Sequence, residues 1–114
     1  MSIQYKNASF NLTTSNLTTA LTISTSAIAI VKSVYFSNTS TGAILCNAAM
    51  SDVSAGSYDA EFFRDSIAAS SSINAAPEGL NLEAGDAIKV QADTASKVGG
   101  LISYALINRE NENG

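Results

Sequence analysis

Apolar and polar residues alternate with a period of two along most of the chain, and no long segment keeps a helical spacing. Leu17, Thr19, Leu21 and Ile23 share one face of an extended segment, with Thr18, Ala20 and Thr22 on the other. That is the pattern of a half-buried strand. AIAIVKSVYFSNTS, starting at Ala27, places β-branched and aromatic residues on both faces, which predicts a central strand covered on two sides. NTSTG, from Asn38 to Gly42, has the composition of a turn, and Ala43 to Met50 returns as a strand.

After SDVSAGS, Tyr58, Ala60 and Phe62 fall on one face, with Asp59, Glu61 and Phe63 on the other. A tight turn near Arg64 and Asp65 is expected next, before Ile67, Ala69, Ser71 and Ile73 resume the alternation. Pro77 and Gly79 interrupt the chain. Ile88, Val90 and Ala92 then alternate with Lys89, Gln91 and Asp93, and VGGLISYALI closes with Val98, Ile102, Tyr104 and Leu106 on one side. Ala-rich pieces lack an amphipathic period and are broken by Ser, Thr and Asn, which compete for backbone hydrogen bonds and disfavour helix. The expectation is an all-β chain, a single antiparallel β-sandwich or jelly-roll-like barrel of about seven or eight short strands. The domain is drawn at 1–107, with 1–12 as a candidate N-terminal arm and 108–114 as a polar C-terminal tail.

A length of 114 residues suits one domain. Ala, Ser, Thr and Asn make up nearly half of the sequence, and such short side chains suit flat, closely packed surfaces better than catalytic clefts. The net charge is −4 and the few cations are scattered, so no basic stripe exists to neutralise phosphates, which argues against nucleic-acid binding. No apolar run approaches the length of a membrane-spanning helix. MSIQYKNASF lacks the basic start and apolar stretch of a signal peptide, so synthesis in a cytoplasm is expected.

Candidate chemistry is thin. Histidine is absent, so neither a Ser-His-Asp nor a Cys-His arrangement can be assembled from these residues, and no zinc cluster or other cofactor site is expected. Cys46 has no internal disulfide partner and lies in an alternating run with Ile44, Ala48 and Met50, the setting of a buried small hydrophobe. Asp59 and Glu61 share a strand face, which reads as the wet side of that strand rather than as an acid/base pair. Glu83 and Asp86 flank the Ala84-Gly85-Asp86 turn, but two carboxylates fall short of a calcium site. The turn reads as a corner between strands, with Gly85 supplying the backbone conformation and Asp86 hydrogen-bonding locally. Gly99-Gly100 has no helix start or lysine after it and reads as a bulge or a close backbone approach, not a phosphate cradle. Four Asn-x-Ser/Thr segments, at Asn7, Asn11, Asn16 and Asn38, are expected by chance in such a composition.

The order of segments resembles a family of small tailed-bacteriophage virion proteins. The likeness rests on AIVKSVYFSNTSTGAILCNAAM, SYDAEFF, SIAASSSI and GLNLEAGDAIKVQADTASKVGGLISYALI, and covers roughly Ala27 to Ile107. Its marks are the Asn38-Thr39-Ser40 turn, the Leu82 to Asp86 corner and Ser103-Tyr104. The AGSYDAEFFRDS hairpin departs from the family pattern, so no binding residues carry over. The resemblance implies a β-sandwich structural protein of a phage particle, made in the host bacterial cytoplasm and ending in the virion. A capsid decoration (cement) protein is expected first, and a neck, tail or fibre component second. A carbohydrate-binding module is a weaker alternative, since tryptophan is absent, and an enzyme is not expected.

The implied partners are the chain itself, as a homo-oligomer such as a trimer, and other virion proteins such as the major capsid protein. Tyr58, Phe62 and Phe63 form the densest aromatic cluster. With Tyr58 and Phe62 turned inward, Phe63 is left on the wet face beside Asp59 and Glu61 as a candidate partner-interface anchor.

Overall fold

The computed structural model describes residues 2–56 and 58–108. The strands are β1 (Ser2–Leu12), β2 (Thr18–Thr22), β3 (Ala27–Asn38), β4 (Ile44–Asp52), β5 (Tyr58–Ile67), β6 (Ser71–Asn74), β7 (Asn81–Leu82), β8 (Ala87–Ala92) and β9 (Val98–Asn108). One 3-10 turn, Val53–Ala55, is the only helical element among the described residues. All pairings are antiparallel. One sheet, sheet A, runs β1-β9-β3-β6 with β7 also on β3, and the other, sheet B, runs β2-β8-β4-β5. Successive strands pass repeatedly from one sheet to the other, and the order in each sheet is that of a jelly roll.

Among the described residues nine strands stand where seven or eight were expected, and the added one is β1. The stretch drawn as an N-terminal arm pairs with β9 residue for residue, from Ser2↔Asn108 to Leu12↔Val98. Its inner face carries Ala8, Phe10 and the buried Leu12 into the core. The expected tail falls at residues 109–114, outside the described residues, apart from Asn108, which ends β9.

β3 is central, but only one of its faces is covered. Ala27, Ala29 and Val31 point into the core, and then Val34, Phe36 and Asn38 do so. The parity switches because the β3–β9 register shifts between Val31 and Ser33, leaving Lys32 as an extra residue. The apolar character of its other face therefore has no cover from the other described residues.

The core is shared by both sheets. Phe36, fully buried, meets Phe10 edge-on at 5.5 Å between ring centroids and stacks on Phe63 of the opposite sheet at 5.6 Å. Gly100 lies between Phe10 and Phe36 in the pairing register. A methyl group there would overlap the Tyr35 carbonyl oxygen and the Phe10 ring, so the expected close backbone approach is found without a bulge.

The turn expected near Arg64 and Asp65 does not occur. β5 continues through both residues to Ile67, and the chain reverses at Ala68–Ser70, where Ser70 takes a left-handed φ of 54°. The Leu82–Asp86 corner is as its residues predict. Gly85 has a φ of 85°, and the Asp86 N–H donates to the Glu83 carbonyl at 3.0 Å.

Candidate assembly surface

The three aromatic residues singled out by the sequence do not stand together. The β4–β5 register shifts so that Phe63 faces Ala48 and Glu61 faces Ala49, making Phe62 the extra residue of a β-bulge. The bulge moves Phe63 to the inner side, against Phe36, and Phe62 also packs on the core. The expectation that Phe63 stands on the wet face is thus corrected: a two-residue period cannot register an inserted residue. Tyr58, expected inside, is 67% exposed at the start of β5.

The same bulge brings Glu61 and Arg64 onto one face, although residues three apart on a regular strand point to opposite sides. Arg64 Nε and Nη2 donate to the two Glu61 carboxylate oxygens at 2.7 and 2.8 Å. These bonds hold the Glu61 carboxyl below its usual range and raise the Arg64 guanidinium. Lys89 Nζ lies 3.1 Å from Asp59 Oδ1 on the same side. The outer face of sheet B thus carries two ion pairs, beside the exposed Leu45 of β4.

The outer face of sheet A is different. Register places three rows across it: Ile3–Ile107–Ile28, Tyr5–Ala105–Ile30 and Ser9–Leu101–Tyr35. Tyr5 is 77% exposed and Ile3 54%, and Ile30, Tyr35 and Leu101 are exposed as well. Lys32 places a cation above the Tyr5 ring, 5.1 Å from its centroid. Gly99, without a side chain, opens a shallow groove of about 550 Å³ between Tyr35, Leu101, Asn11 and Lys97 at one end of this face.

These residues were missed in the sequence because SIQYKNASF, polar overall, reads as an arm. The available signal was β3 itself, whose two apolar faces call for two covers.

Two further groups can be placed. Asp52, Glu83 and Asp86 bring carboxylate oxygens within 4.8 Å of one another, which adds a third acid to the pair seen in the sequence. Backbone donors already engage two of the three. Asp86, 2% exposed, accepts from Val53 N at 3.0 Å and Glu83 N at 2.9 Å, and Asp52 accepts from Ser54 N. The cluster ties the β4–β5 connection to the β7–β8 corner. Cys46 is fully buried on β4, and burial, with the nearby Asp93 charge second, pushes its thiol up to about 11.

No protein-family model matches this chain, and no characterised protein matches its sequence. Solved structures share its fold. A protein of Bacillus endospore appendages, described as a novel family of disulfide-linked pili, is similar at 14% identity and a TM-score of 0.55 over 94% of this chain and 88% of that one. A chain of an IBDV viral particle, in work on icosahedral viruses, is similar at 6% identity and a TM-score of 0.56, covering 91% of this chain but 30% of that one. At such identities the likeness lies in the backbone architecture.

Proposed function

We propose that the chain is a non-enzymatic structural subunit of a virus particle, namely a tailed-phage capsid decoration protein that docks on the head lattice through the outer face of sheet A. The observation that carries this reading is the contrast between the two outer faces. Sheet B exposes the Arg64–Glu61 and Lys89–Asp59 ion pairs with Leu45 as a single large apolar residue of β4, whereas sheet A leaves Ile3, Tyr5, Ile30, Tyr35 and Leu101 exposed, with Lys32 over the Tyr5 ring. An apolar surface of that kind is a docking site. The absence of histidine and the burial of Cys46 support a structural role. So does the fold shared with a viral particle chain, alongside the phage-like segments from Ala27 to Ile107. Synthesis in the bacterial cytoplasm and residence in the virion follow from the same reading, with the major capsid protein as partner.

A neck, tail or fibre position is the second reading, favoured by the likeness to a pilus protein along nearly the whole of both chains. The disulfide linkage named for those pili has no counterpart in the single, buried Cys46. Sedimentation of purified particles with wild type, Ile30→Asp and the Glu61→Ala/Arg64→Ala double variant tests the surface. Ile30→Asp should stay folded and lose attachment, while the double variant should attach like wild type. Attachment of Ile30→Asp at wild-type levels overturns the sheet A assignment. Copy number in the particle, tied to the head lattice or to a neck ring, decides between the two stations.

A further inference from the structure

A jelly roll leaves four sheet edges, and a free edge presents unpaired N–H and C=O groups to any strand that fits. Three of the edges here carry features that discourage pairing. β5 has the Phe62 bulge and four charged residues, Asp59, Glu61, Arg64 and Asp65, within its ten residues. β2 has five residues, and its register slips between Thr19 and Leu21. β6 and β7 are four and two residues long, separated along β3 by the segment that holds Pro77.

β1 has none of these devices. It runs for eleven residues without proline, glycine or bulge, and Lys6 is its sole charge. One side pairs with β9 throughout, and among the described residues no strand pairs with the other side. Ile3 and Tyr5 stand exposed along it.

We infer that β1 is a docking edge for β1 of a second copy, joined antiparallel across a two-fold axis. The occupant follows by elimination. An open edge is matched by another open edge, and among the described strands β1 alone qualifies, so a same-chain contact there is isologous. Pairing that uses the whole of Ser2–Leu12 centres on Asn7. Tyr5 then lies opposite the partner's Ser9, and Ile3 opposite the partner's Asn11. Lys6 meets the partner's Ala8, so two lysines are not set face to face. The contact extends sheet A through both copies and sets their two outer faces side by side as one broad surface. It involves the edge of sheet A rather than its face, and it holds whether or not that face docks on a phage head.

Charge placed on the axis tests this directly, because residue 7 faces itself. Asn7→Asp retains the acceptor that Ser103 Oγ uses at 2.6 Å, so its effect is on the pairing and not on that bond. Light scattering across a concentration range should show a dimer for the wild-type chain. Asn7→Asp and Asn7→Lys alone should each dimerise about tenfold or more weakly, as opposed like charges require, and an equimolar mixture of the two should regain the dimer. Asn7→Cys should form a disulfide-linked dimer on mild oxidation, with buried Cys46 contributing none. A chain that remains monomeric at every concentration overturns the inference. So does a dimer that both charged variants leave intact, or one that Asn7→Cys fails to cross-link. Circular dichroism of each variant separates lost pairing from lost folding.

Discussion

Asn38 shows how a single side chain can hold a fold together. It is 2% exposed, its Nδ2 donates to the carbonyls of Gly42, Ile67 and Ala68, and its Oδ1 accepts from Ser40 N and Oγ. One amide thereby fastens the β3–β4 turn to the end of β5. A glycan acceptor role is excluded for this residue by its burial. Cys46 is the residue whose state is easiest to measure. Burial keeps the native thiol protonated to about 11, while the unfolded chain loses that proton near 9. Between those values the unfolded form is favoured increasingly as pH rises, because only it releases the proton. Wild type should lose stability on the order of a few kcal/mol across the window, a slope that Cys46→Ala should lack in denaturant titrations at stepped pH. A thiol reagent should label native Cys46 slowly and the unfolded chain fast.

At the scale of elements, two inserted residues decide which side chains meet. The Lys32 bulge keeps β3 facing the core along its length, and the Phe62 bulge turns Phe63 inward onto Phe36. Phe63→Ala should therefore cost about 2 kcal/mol of stability, somewhat below the figure for a fully buried ring. Chemical denaturation reads that loss, and an unchanged midpoint would return Phe63 to the surface. Alternation made β4, β8 and β9 legible because each has one strongly apolar face, and β3 was legible from its β-branched and aromatic residues on both faces. The corner at Asp86 was legible from turn chemistry. β1 was not, since only Ala8, Phe10 and Leu12 of its eleven residues enter the core and the rest is polar or outward. The bulges were also hidden, because an extra residue changes the parity of a strand without changing its composition. The partnership of Asp52 with Glu83 and Asp86 joins distant segments and needs the fold to appear.

For the whole molecule, the core is built from Ala, Val, Ile and a few rings, and no disulfide is present among the described residues. A lone copy of such a chain should be modestly stable. Contacts that bind only the folded state shift the folding equilibrium by mass action, so the melting temperature should rise with protein concentration and again when particles are added. Thermal melts over a wide concentration range check this, and a midpoint that stays fixed throughout would mark a monomer with no assembly partner in the mixture.

The place of β9 has a consequence for how the protein is made. It is the ninth strand in chain order, yet it lies between β1 and β3 and pairs with both along almost their full length. On the ribosome, β1 and β3 emerge early and wait without their shared neighbour, so sheet A forms only after the segment from Val98 to Asn108 has been synthesised. Folding of sheet A then waits for β9 and is dominated by contacts between distant parts of the sequence, which makes it slow. Nascent chains halted before Val98 should be digested readily by protease, and chains released after Asn108 should resist it.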